Sequence, residues 1–459
     1  MKTVKYITIS ALLVLGFASC EKAITFYQND DRYVLEENAL DSIEDVQQLL
    51  NSIYDVEANF LGGQMQNLGE LLADPLSDPT GRNDDYTQIY NRRTDFFNGT
   101  IDGVYRDAYI AIYRANTLLE KVDGVPGVTE DFSKRVKGES RFIRALNHYM
   151  VVRLFAQPYD PNTNNSQLGI IVKTNTDYEP QPRNTVDQVY KAIINDLHFA
   201  RVNLPPTNDI YATSWAAKAL LAKVYFEMAN TDSALYYAND VIDNGGFMLD
   251  NLDRFEHGSS SERIFWVVST PSINDRRGGG FSGNYRTDQP SPPTLQVSAS
   301  LYNYLDADTA DNRFKMWLTV INPGESNQYY GTPKFNYEYL DVPVIHLTEM
   351  VLIKAECQYE QGLYGDAMTT LNQLRLRAGV ADYPTNVTQS TAYNNVQFER
   401  ALEMCFEGDR VFQLKRQGVL GRLQKIRGVD FDCPGMVLQF PNSEGTGAGF
   451  VFNPSGGCN

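Results

Sequence analysis

Apolar side chains recur at helical spacing from the first segment after the leader. In "DSIEDVQQLLNSIYDVEANF" the apolar positions, Ile43 and Leu50 among them, fall three or four residues apart, which places them on one face of an α-helix. Asp41 is the predicted N-cap, because Glu44 follows three residues later as in a capping box. We therefore predict a first helix that ends near Phe60.

The pattern then changes between residues 62 and 98, where turn residues, charges and aromatics replace the helical spacing. We expect this segment to lie outside the helical scaffold. Helical spacing returns in "VYRDAYIAIYRANTLLEKV", in "SKRVKGESRFIRALNHYMVVRLFAQPY" and in "NTVDQVYKAIINDLHFARVNLP". Thr185 and Gln188 form a predicted capping box at the start of the last of these helices.

Two later segments repeat each other. "AKVYFEMANTDSALYYANDVI" begins at Ala222 and "AECQYEQGLYGDAMTTLNQLR" begins at Ala355, and in both an alanine recurs 12 residues on, at Ala234 and Ala367. Small residues where two helices cross, with large residues beside them, are typical of tetratricopeptide repeats. The two segments resemble degenerate units of that kind.

The chain between these repeats has a different character. We place the repeat-like units within about 102–244 and 345–410, and an irregular insertion at about 245–342. The insertion contains "GGF", "GSSS", "RRGGG" and "PSPP" with short apolar runs such as "RIFWVV", a composition that predicts loops and short strands. Its "GGGFSG" at 278–283 matches a dinucleotide fingerprint only formally, because "NYRTDQPSPP" follows where a helix is required. We interpret this stretch as a flexible loop.

The N-terminus predicts export and lipidation. Lys2 and Lys5 precede an apolar run over 7–18, which is too short to span a bilayer but is typical of a signal peptide. Small residues before Cys20 resemble a bacterial lipobox, where the cysteine is acylated and becomes the new N-terminus. We expect a signal peptide at 1–19 and a lipidated tether at 20–40; an ordinary cleavable signal is the alternative.

Composition excludes several classes of function. The 459 residues are 42% hydrophobic and 12% aromatic and carry a formal charge of −17. A chain this acidic repels phosphate backbones, so nucleic acid is not an expected partner. Metal-binding spacings such as HExxH and CxxC do not occur in the sequence, and no carboxylate pair stands out as catalytic.

The remaining cysteines and one acidic cluster keep alternatives open. Cys357 and Cys405 lie in helical patterns and are predicted to be buried thiols. Cys433 and Cys458 flank the tail and could pair, although sequence does not fix connectivity. A cluster of four aspartates is either a solvated turn or a contact for calcium or ligand. Its members are Asp74, Asp78, Asp84 and Asp85.

Four motifs in order along the chain carry a family resemblance. "YRANTLLEKV", "GESRFIRALNHYMVVRLFAQPY", "FERALEMCFEGDRVFQLKRQG" and the tail "MVLQFPNSEGTGAGFVFNPSG" are similar to the signature helices and ending of the SusD/RagB family of Bacteroidetes outer-membrane lipoproteins. Gln413 stands where that family usually has aspartate. From their spacing alone, the charged residues of the third motif are expected to form ion pairs that hold the C-terminal helix. They are Glu399, Arg400, Glu403, Glu407 and Arg410.

The resemblance implies a fold and a function. The fold is mainly α, with a tetratricopeptide-like scaffold, a loop-rich half containing short strands, and one SusD-like domain over 41–459. The function is that of a non-catalytic, surface-exposed lipoprotein of the outer membrane, which binds oligosaccharide and delivers it to a SusC-like TonB-dependent transporter. No cofactor is implied, although a structural calcium stays open. The alternatives are a peptide-binding RagB-type uptake subunit and a glycoside hydrolase.

The resemblance also indicates where ligand would bind. In the family, contacts come from the loop after the first helix and from the irregular half. Trp317 is the preferred stacking residue, although "RFKMWLTV" could also be a buried strand, while Trp215 and Trp266 are expected in the core. The candidate contact residues, each with a place in the core as its alternative, are Arg82, Asn83, Asp85, Tyr86, Tyr90, Phe96, Phe97, Tyr285, Trp317, Tyr329, Tyr330 and Tyr337.

Overall fold

A computed structural model gives the architecture of most of the chain. The expected signal peptide, Cys20 and nearly all of the expected tether lie outside the residues it describes. Within the described part of the chain, no helix combines the length and the apolar character that crossing a membrane requires. The described residues are 40–177, 179–250, 252–258, 260–306, 310–447 and 449–458.

The first half of the chain is a succession of helices in which neighbours pack together. The first helix packs against the fourth, and from the fourth to the eighth each helix packs against the next. The helices are α1 (Ile43–Leu61), α2 (Gln64–Leu72), α3 (Asp84–Tyr90), α4 (Gly99–Lys121), α5 (Glu130–Phe155), α6 (Val186–Asn203), α7 (Ser214–Glu227) and α8 (Thr231–Asn244).

Two helices, α1 and α6, begin with a capping box, and the N-cap of α1 differs from the predicted residue. The predicted box of Thr185 with Gln188 is confirmed at the start of α6. The predicted N-cap at Asp41 is wrong, because α1 begins one residue later. Ser42 accepts from the Asp45 backbone N–H, and the Asp45 carboxylate accepts from the Ser42 backbone, so both orphan donors are satisfied.

The segment 62–98 is more helical than its sequence indicates. It contains two helices, α2 and α3. Both are too short to show a clear helical spacing of apolar residues in the sequence. Gly63, with φ of +116°, turns the chain sharply between α1 and α2. The Gly280 N–H donates to the Gly62 carbonyl at 3.0 Å, and a Cβ at Gly280 would lie 2.7 Å from the Gly63 carbonyl carbon. The glycine-rich stretch is therefore a packed short helix and not a flexible loop.

The two repeat-like segments form the predicted helix pairs. α7 packs on α8, and a later pair, α12 (Leu347–Glu360) and α13 (Tyr364–Ala378), packs in the same way. The four repeat alanines, Ala222, Ala234, Ala355 and Ala367, are fully buried. Since α12 also packs against α8, the two pairs are joined directly although a long insertion separates them in sequence.

The insertion contains short strands, as predicted, and also short helices. β1 and β4 pair antiparallel, as do β2 and β3, and Val297 links Leu76 on one side to Tyr330 on the other through isolated bridges. The elements are β1 (Arg263–Val267), α9 (Gly279–Tyr285), α10 (Ala299–Leu305), α11 (Asn312–Trp317), β2 (Thr319–Ile321), β3 (Tyr329–Gly331) and β4 (Val342–His346).

The C-terminal part returns to helices and ends in a stapled tail. Cys433 and Cys458 form a disulfide, and Cys357 and Cys405 are buried free thiols as predicted. The Asn453 side chain donates to the carbonyls of Phe155 and Leu438, which fastens the tail to the end of α5. The elements are α12 (Leu347–Glu360), α13 (Tyr364–Ala378), α14 (Gln389–Glu403), α15 (Arg410–Val419), β5 (Lys425–Ile426) and β6 (Val429–Asp430).

Candidate functional site

A cavity of about 690 Å³ opens between α10, α14 and α15, and we call it the aromatic cavity. It exceeds two other cavities of about 290 and 310 Å³ by more than a factor of two, and it lies in the volume range of ordinary ligand pockets. Aromatic rings, amides and two arginines share its wall. The lining residues are Tyr304, Asp311, Arg375, Tyr383, Tyr393, Asn394, Asn395, Gln397, Phe398, Arg410, Leu414, Gln417 and Leu423.

Two rings stand at the mouth of the aromatic cavity. Tyr304 on α10 is 44% exposed, although its neighbours Leu301 and Leu305 hold the helix in the core. Its ring lies 5.6 Å from that of Phe398 on α14, edge to face. Such a pair keeps both rings in place while leaving apolar ring surface open to the cavity.

A second aromatic wall is fixed by an arginine. The Arg375 guanidinium lies 3.8 Å from the centre of the Tyr383 ring, donates to the Ala381 carbonyl at 2.7 Å, and donates to Glu399 at 2.9 Å. Burial, and secondarily the Glu399 carboxylate, raises the pKa of Tyr383, so this phenol keeps its proton at neutral pH. Arg375 is therefore held rigidly beside the cavity.

The other arginine joins the aromatic cavity to the segment after α2. Arg410 donates to both carboxylate oxygens of Asp74, at 2.7 and 2.9 Å, and to Gln413 at 2.8 Å. Burial alone would lower the pKa of Arg410, but the hydrogen bonds to Asp74 outweigh it and the pKa lies above its usual value. A bidentate pair of this kind fixes orientation as well as charge.

Helix α14, which supplies more lining residues than any other element, is anchored by a group of buried charged side chains that we call the charged cluster. Glu403 accepts from Arg313 at 2.9 Å and from Arg377 at 2.6 Å, while Glu399 also pairs with Arg313. Burial would raise the pKa of Glu403, but Arg377, Arg313 and Arg254 outweigh it and hold that pKa at about 2. The charged cluster consists of Arg254, Glu262, Asp311, Arg313, Lys334, His346, Arg377, Glu399, Glu403 and Glu407.

This geometry suits recognition by ring contact and hydrogen bonding. The cavity carboxylate of Asp311 is tied to Arg313, with its Oδ2 2.7 Å from the Arg313 guanidinium. Within the described residues, no group of three or more histidine, cysteine, aspartate or glutamate side chains is placed to hold a metal ion. The exposed Asn394 and the half-buried Asn395 offer amide oxygens to a ligand, whereas the Gln397 amide is already bonded to Glu356 and Gln413.

Two family models match this chain in succession. Residues 29–226 match a family described as "Starch-binding associating with outer membrane", and residues 279–430 match the SusD family. Together they cover most of the chain and include α10, α14 and α15 of the aromatic cavity. The chain belongs to the SusD/RagB family.

Relatives of the SusD/RagB family match nearly the whole chain. The SusD-like protein P25 of Formosa agariphila is 21% identical over 91% of this chain and 90% of its own. A SusD superfamily structure from Bacteroides thetaiotaomicron superposes with a TM-score of 0.79 at 22% identity, covering 90% of this chain and 100% of the other. A laminarin-binding SusD-like protein gives a TM-score of 0.69 at 22% identity, covering 90% and 99%.

The structure brings together the two regions in which family resemblance placed the ligand. The Ser77 N–H donates to the Gln296 carbonyl at 2.9 Å, and the Arg82 guanidinium donates to the Thr294 carbonyl at 2.9 Å. Tyr330 joins the same surface from β3, where its ring lies 4.5 Å from that of Tyr302. The segment after α2 and the irregular half therefore form one face, which Asp74 connects to the aromatic cavity through Arg410.

Three candidate contact residues are corrected because they are buried. Trp317 is only 2% exposed and donates its indole N–H to the Leu252 carbonyl, so it belongs to the core at the end of α11. Tyr285 and Tyr86 are buried as well, and none of the three can present a ring face to a ligand. The prediction that the other two tryptophans lie in the core holds only in part: Trp215 and Trp266 are both half-buried, and Trp215 packs against the core.

The remaining candidates differ in what they contact. Asn83 caps the start of α3, and Asp85 accepts from the Thr100 backbone and hydroxyl at the start of α4, so both have structural roles. Tyr90 lies under the Arg427 guanidinium and Phe96 packs on Phe452. The ring most open to solvent is Phe97, which is 78% exposed; Tyr329, Tyr330 and Tyr337 are half-buried.

The acidic cluster divides among separate partners. Asp74 forms an ion pair with Arg410, and Asp78 accepts a hydrogen bond from Thr80. Asp84 is the first residue of α3, and Asp85 accepts a hydrogen bond from Thr100. Each carboxylate with a partner thus has a structural role, which favours the interpretation as turn and capping residues.

The aromatic residues that line the aromatic cavity are not among the candidate contact residues predicted from the sequence. Tyr304, Tyr393 and Phe398 lie in or beside helical motifs, where aromatics are more often core residues. One signal could have found them. The family signature fixes α14 through its charged face, so the residues on the opposite face of the same helix, Asn394 and Phe398 among them, must face outward.

Proposed function

We propose that the protein is a non-catalytic, surface-exposed lipoprotein that binds oligosaccharide in the aromatic cavity and passes it to a SusC-like TonB-dependent transporter. The observation that carries this proposal is the combination of exposed rings, fixed arginines and amides around a space of about 690 Å³. The likeness to a laminarin-binding SusD-like protein supports a glycan as the ligand class.

The chemistry of sugars fits this wall. The apolar C–H face of a sugar ring would pack on Tyr304 and Phe398, and its hydroxyls would bond to Asn394 or Asn395. Arg375 and Arg410 are already held by Glu399 and Asp74, so ordering them on binding costs little conformational entropy.

The carboxylates near the cavity support a binding role and not hydrolysis. A glycoside hydrolase needs one carboxyl group that keeps its proton and a second that is free to act as base or nucleophile. Asp311 and Glu399 are both ion-paired with Arg313, and Asp74 is ion-paired with Arg410. Each of these three carboxylates is therefore already engaged by a guanidinium and is not free to act as base or nucleophile.

Membrane attachment rests on the lipobox-like sequence and on the family described as associating with the outer membrane. Acylation of Cys20 would anchor the chain without any spanning helix. Cys20→Ala expressed without the transporter should appear in the soluble fraction. Continued sedimentation of that variant with outer membranes would contradict the anchor.

Glycan binding can be tested by affinity electrophoresis on gels that contain laminarin and other polysaccharides. We expect at least one glycan to retard the migration of the wild type. The double variant Tyr304→Ala/Phe398→Ala should bind that glycan at least tenfold more weakly. Tyr236→Ala is the matched control, because Tyr236 is exposed on α8 and does not line the aromatic cavity. Equal retardation of the double variant and the wild type would show that the cavity is not the site.

The same experiment separates the alternatives. Incubation of the soluble protein with each glycan, followed by measurement of reducing ends, detects hydrolysis, and any turnover would refute the non-catalytic assignment. Retention of a peptide mixture without retention of any glycan would favour the RagB-type peptide uptake subunit.

A further inference from the structure

A second cavity lies on a different part of the molecule, and we call it the β1 cavity. Its volume is about 310 Å³, and it shares no lining residue with the aromatic cavity. It is enclosed by α1, the segment before α7, β1 and the turn after β1. The lining residues are Asn51, Tyr54, Asp55, Glu57, Ala58, Ile210, Tyr211, Phe265, Trp266, Val267, Val268, Thr270, Asp275 and Arg277.

A buried carboxyl group with an unused oxygen faces this space. Glu57 is 2% exposed, and its Oε1 accepts from the Asn147 side chain at 2.6 Å. Its Oε2 has no hydrogen-bond partner among the described residues. Burial, opposed only in part by Asn147, raises the pKa of Glu57 to about 8, so at neutral pH the group is a carboxylic acid. Because Asn147 occupies Oε1, Oε2 is the oxygen that can donate a proton into the cavity.

The walls beside Glu57 are aromatic and held in place. The rings of Tyr54 and Tyr211 lie 5.0 Å apart, edge to face. Their hydroxyl groups are already engaged, with Tyr54 donating to Glu139 at 2.6 Å and Tyr211 donating to Asn51 at 3.0 Å. Trp266 is half-buried and supplies the largest ring. The wall therefore offers apolar ring surface whose polar edges are satisfied elsewhere.

The charged groups at the rim, one guanidinium and two carboxylates, are already paired with one another. Arg277 lies 2.7 Å from Asp55 and 2.7 Å from Asp275, so one guanidinium is shared between two carboxylates. An anionic ligand would meet those carboxylates, and a cationic ligand would meet Arg277. A neutral ligand avoids both costs, and it needs only an oxygen acceptor to satisfy Glu57.

We propose that the β1 cavity is a second binding site, which takes one neutral sugar ring with an oxygen against Glu57 Oε2 and its apolar face against Trp266. This site is independent of the aromatic cavity. Its small volume suits a single ring or the end of a chain, whereas the aromatic cavity has room for several rings.

The test uses the Tyr304→Ala/Phe398→Ala variant, in which the aromatic cavity is disabled, and saturation-transfer NMR with small probes. The neutral probes are methyl β-glucoside and methyl β-galactoside, and glucosamine and glucuronate are their cationic and anionic counterparts. We expect transfer to a neutral probe, and a reduction of at least fivefold when Trp266→Ala is added. Glu57→Leu should reduce the signal similarly, while Glu57→Gln should keep it, because the amide N–H can donate in place of the acid.

Three results would overturn the proposal: no transfer to either neutral probe, a signal that survives Trp266→Ala, or stronger transfer to a charged probe. Trp266 is half-buried, so its alanine variant tests the site even if Glu57→Leu fails to fold. Trp266→Ala alone should retain retardation by polysaccharide gels, so failure of the β1 cavity and failure of the aromatic cavity give different results.

Discussion

Glu403 offers the sharpest test of how the charged cluster supports the proposed site. Its carboxylate lies among three guanidiniums, with Arg377 at 2.6 Å, Arg313 at 2.9 Å and Arg254 at 3.7 Å. Glu403→Gln keeps the shape but leaves buried positive charge uncompensated. Removing one partner of a buried ion pair costs about 3–5 kcal/mol, and we expect a loss of that order in the free energy of unfolding at pH 7.

The pH dependence gives an independent magnitude. The pKa of Glu403 is about 2 against a usual value of 4.5, a depression worth about 3 kcal/mol. Because the pKa of Glu403 is lower in the folded than in the unfolded state, its charged side chain stabilises the fold fully above pH 4.5. That contribution is lost as the pH falls towards 2. The gap in stability between wild type and Glu403→Gln should therefore narrow by about 2 kcal/mol between pH 7 and pH 3.

Urea unfolding followed by circular dichroism at both pH values measures these quantities. Glu130→Gln is the matched control, because Glu130 is exposed and its ion pair with Lys134 lies on the surface of α5, so this variant should leave the stability almost unchanged. A loss below about 1 kcal/mol for Glu403→Gln at pH 7, or a gap that does not change with pH, would refute the argument.

Three further predictions follow from buried features. Ala222→Trp and Ala367→Trp should each cost about 1–3 kcal/mol or more by overpacking a helix crossing, and an unchanged melting temperature for both would show that the crossings tolerate bulk. Cys433→Ala/Cys458→Ala opens a loop with a sequence separation of 25 and should cost about 3.5 kcal/mol, measured by urea unfolding against the wild type under oxidising conditions. Burial raises the pKa of Glu70 to about 8, so the stability that the protonated side chain contributes is lost as the pH rises from 4.5 through 8. Glu70→Gln should reduce this fall in the free energy of unfolding by roughly 3–5 kcal/mol. Identical pH profiles for the variant and the wild type would contradict the prediction.

The helical scaffold was predictable because its signals are local. Capping at Thr185, the repeat alanines and the spacing of apolar residues each depend on neighbours within a few turns. The ion pairs of Glu399 and Glu403 were also predictable in kind, since charges on a helical face need partners when that face is buried.

The candidate site was predictable only in part, because it depends on contacts between distant segments. The meeting of the segment after α2 with the irregular half was expected, and the bridge between Leu76 and Val297 shows it. Whether a given aromatic side chain is buried or exposed was not predictable. Sequence alone cannot show that the Trp317 indole donates to the Leu252 carbonyl while Tyr304 stays at the surface. That choice depends on the packing of α10 and α11, which are too short for a periodic pattern to reveal.

The charged cluster also has a consequence for the order in which the chain folds. Arg254, Arg313 and Arg377 all precede α14 in the sequence. Until α14 delivers Glu399 and Glu403, those guanidiniums lack the carboxylates that compensate most of their charge. We therefore expect that a chain that stops before residue 389 cannot complete the packing of its second half, which should stay open to proteases.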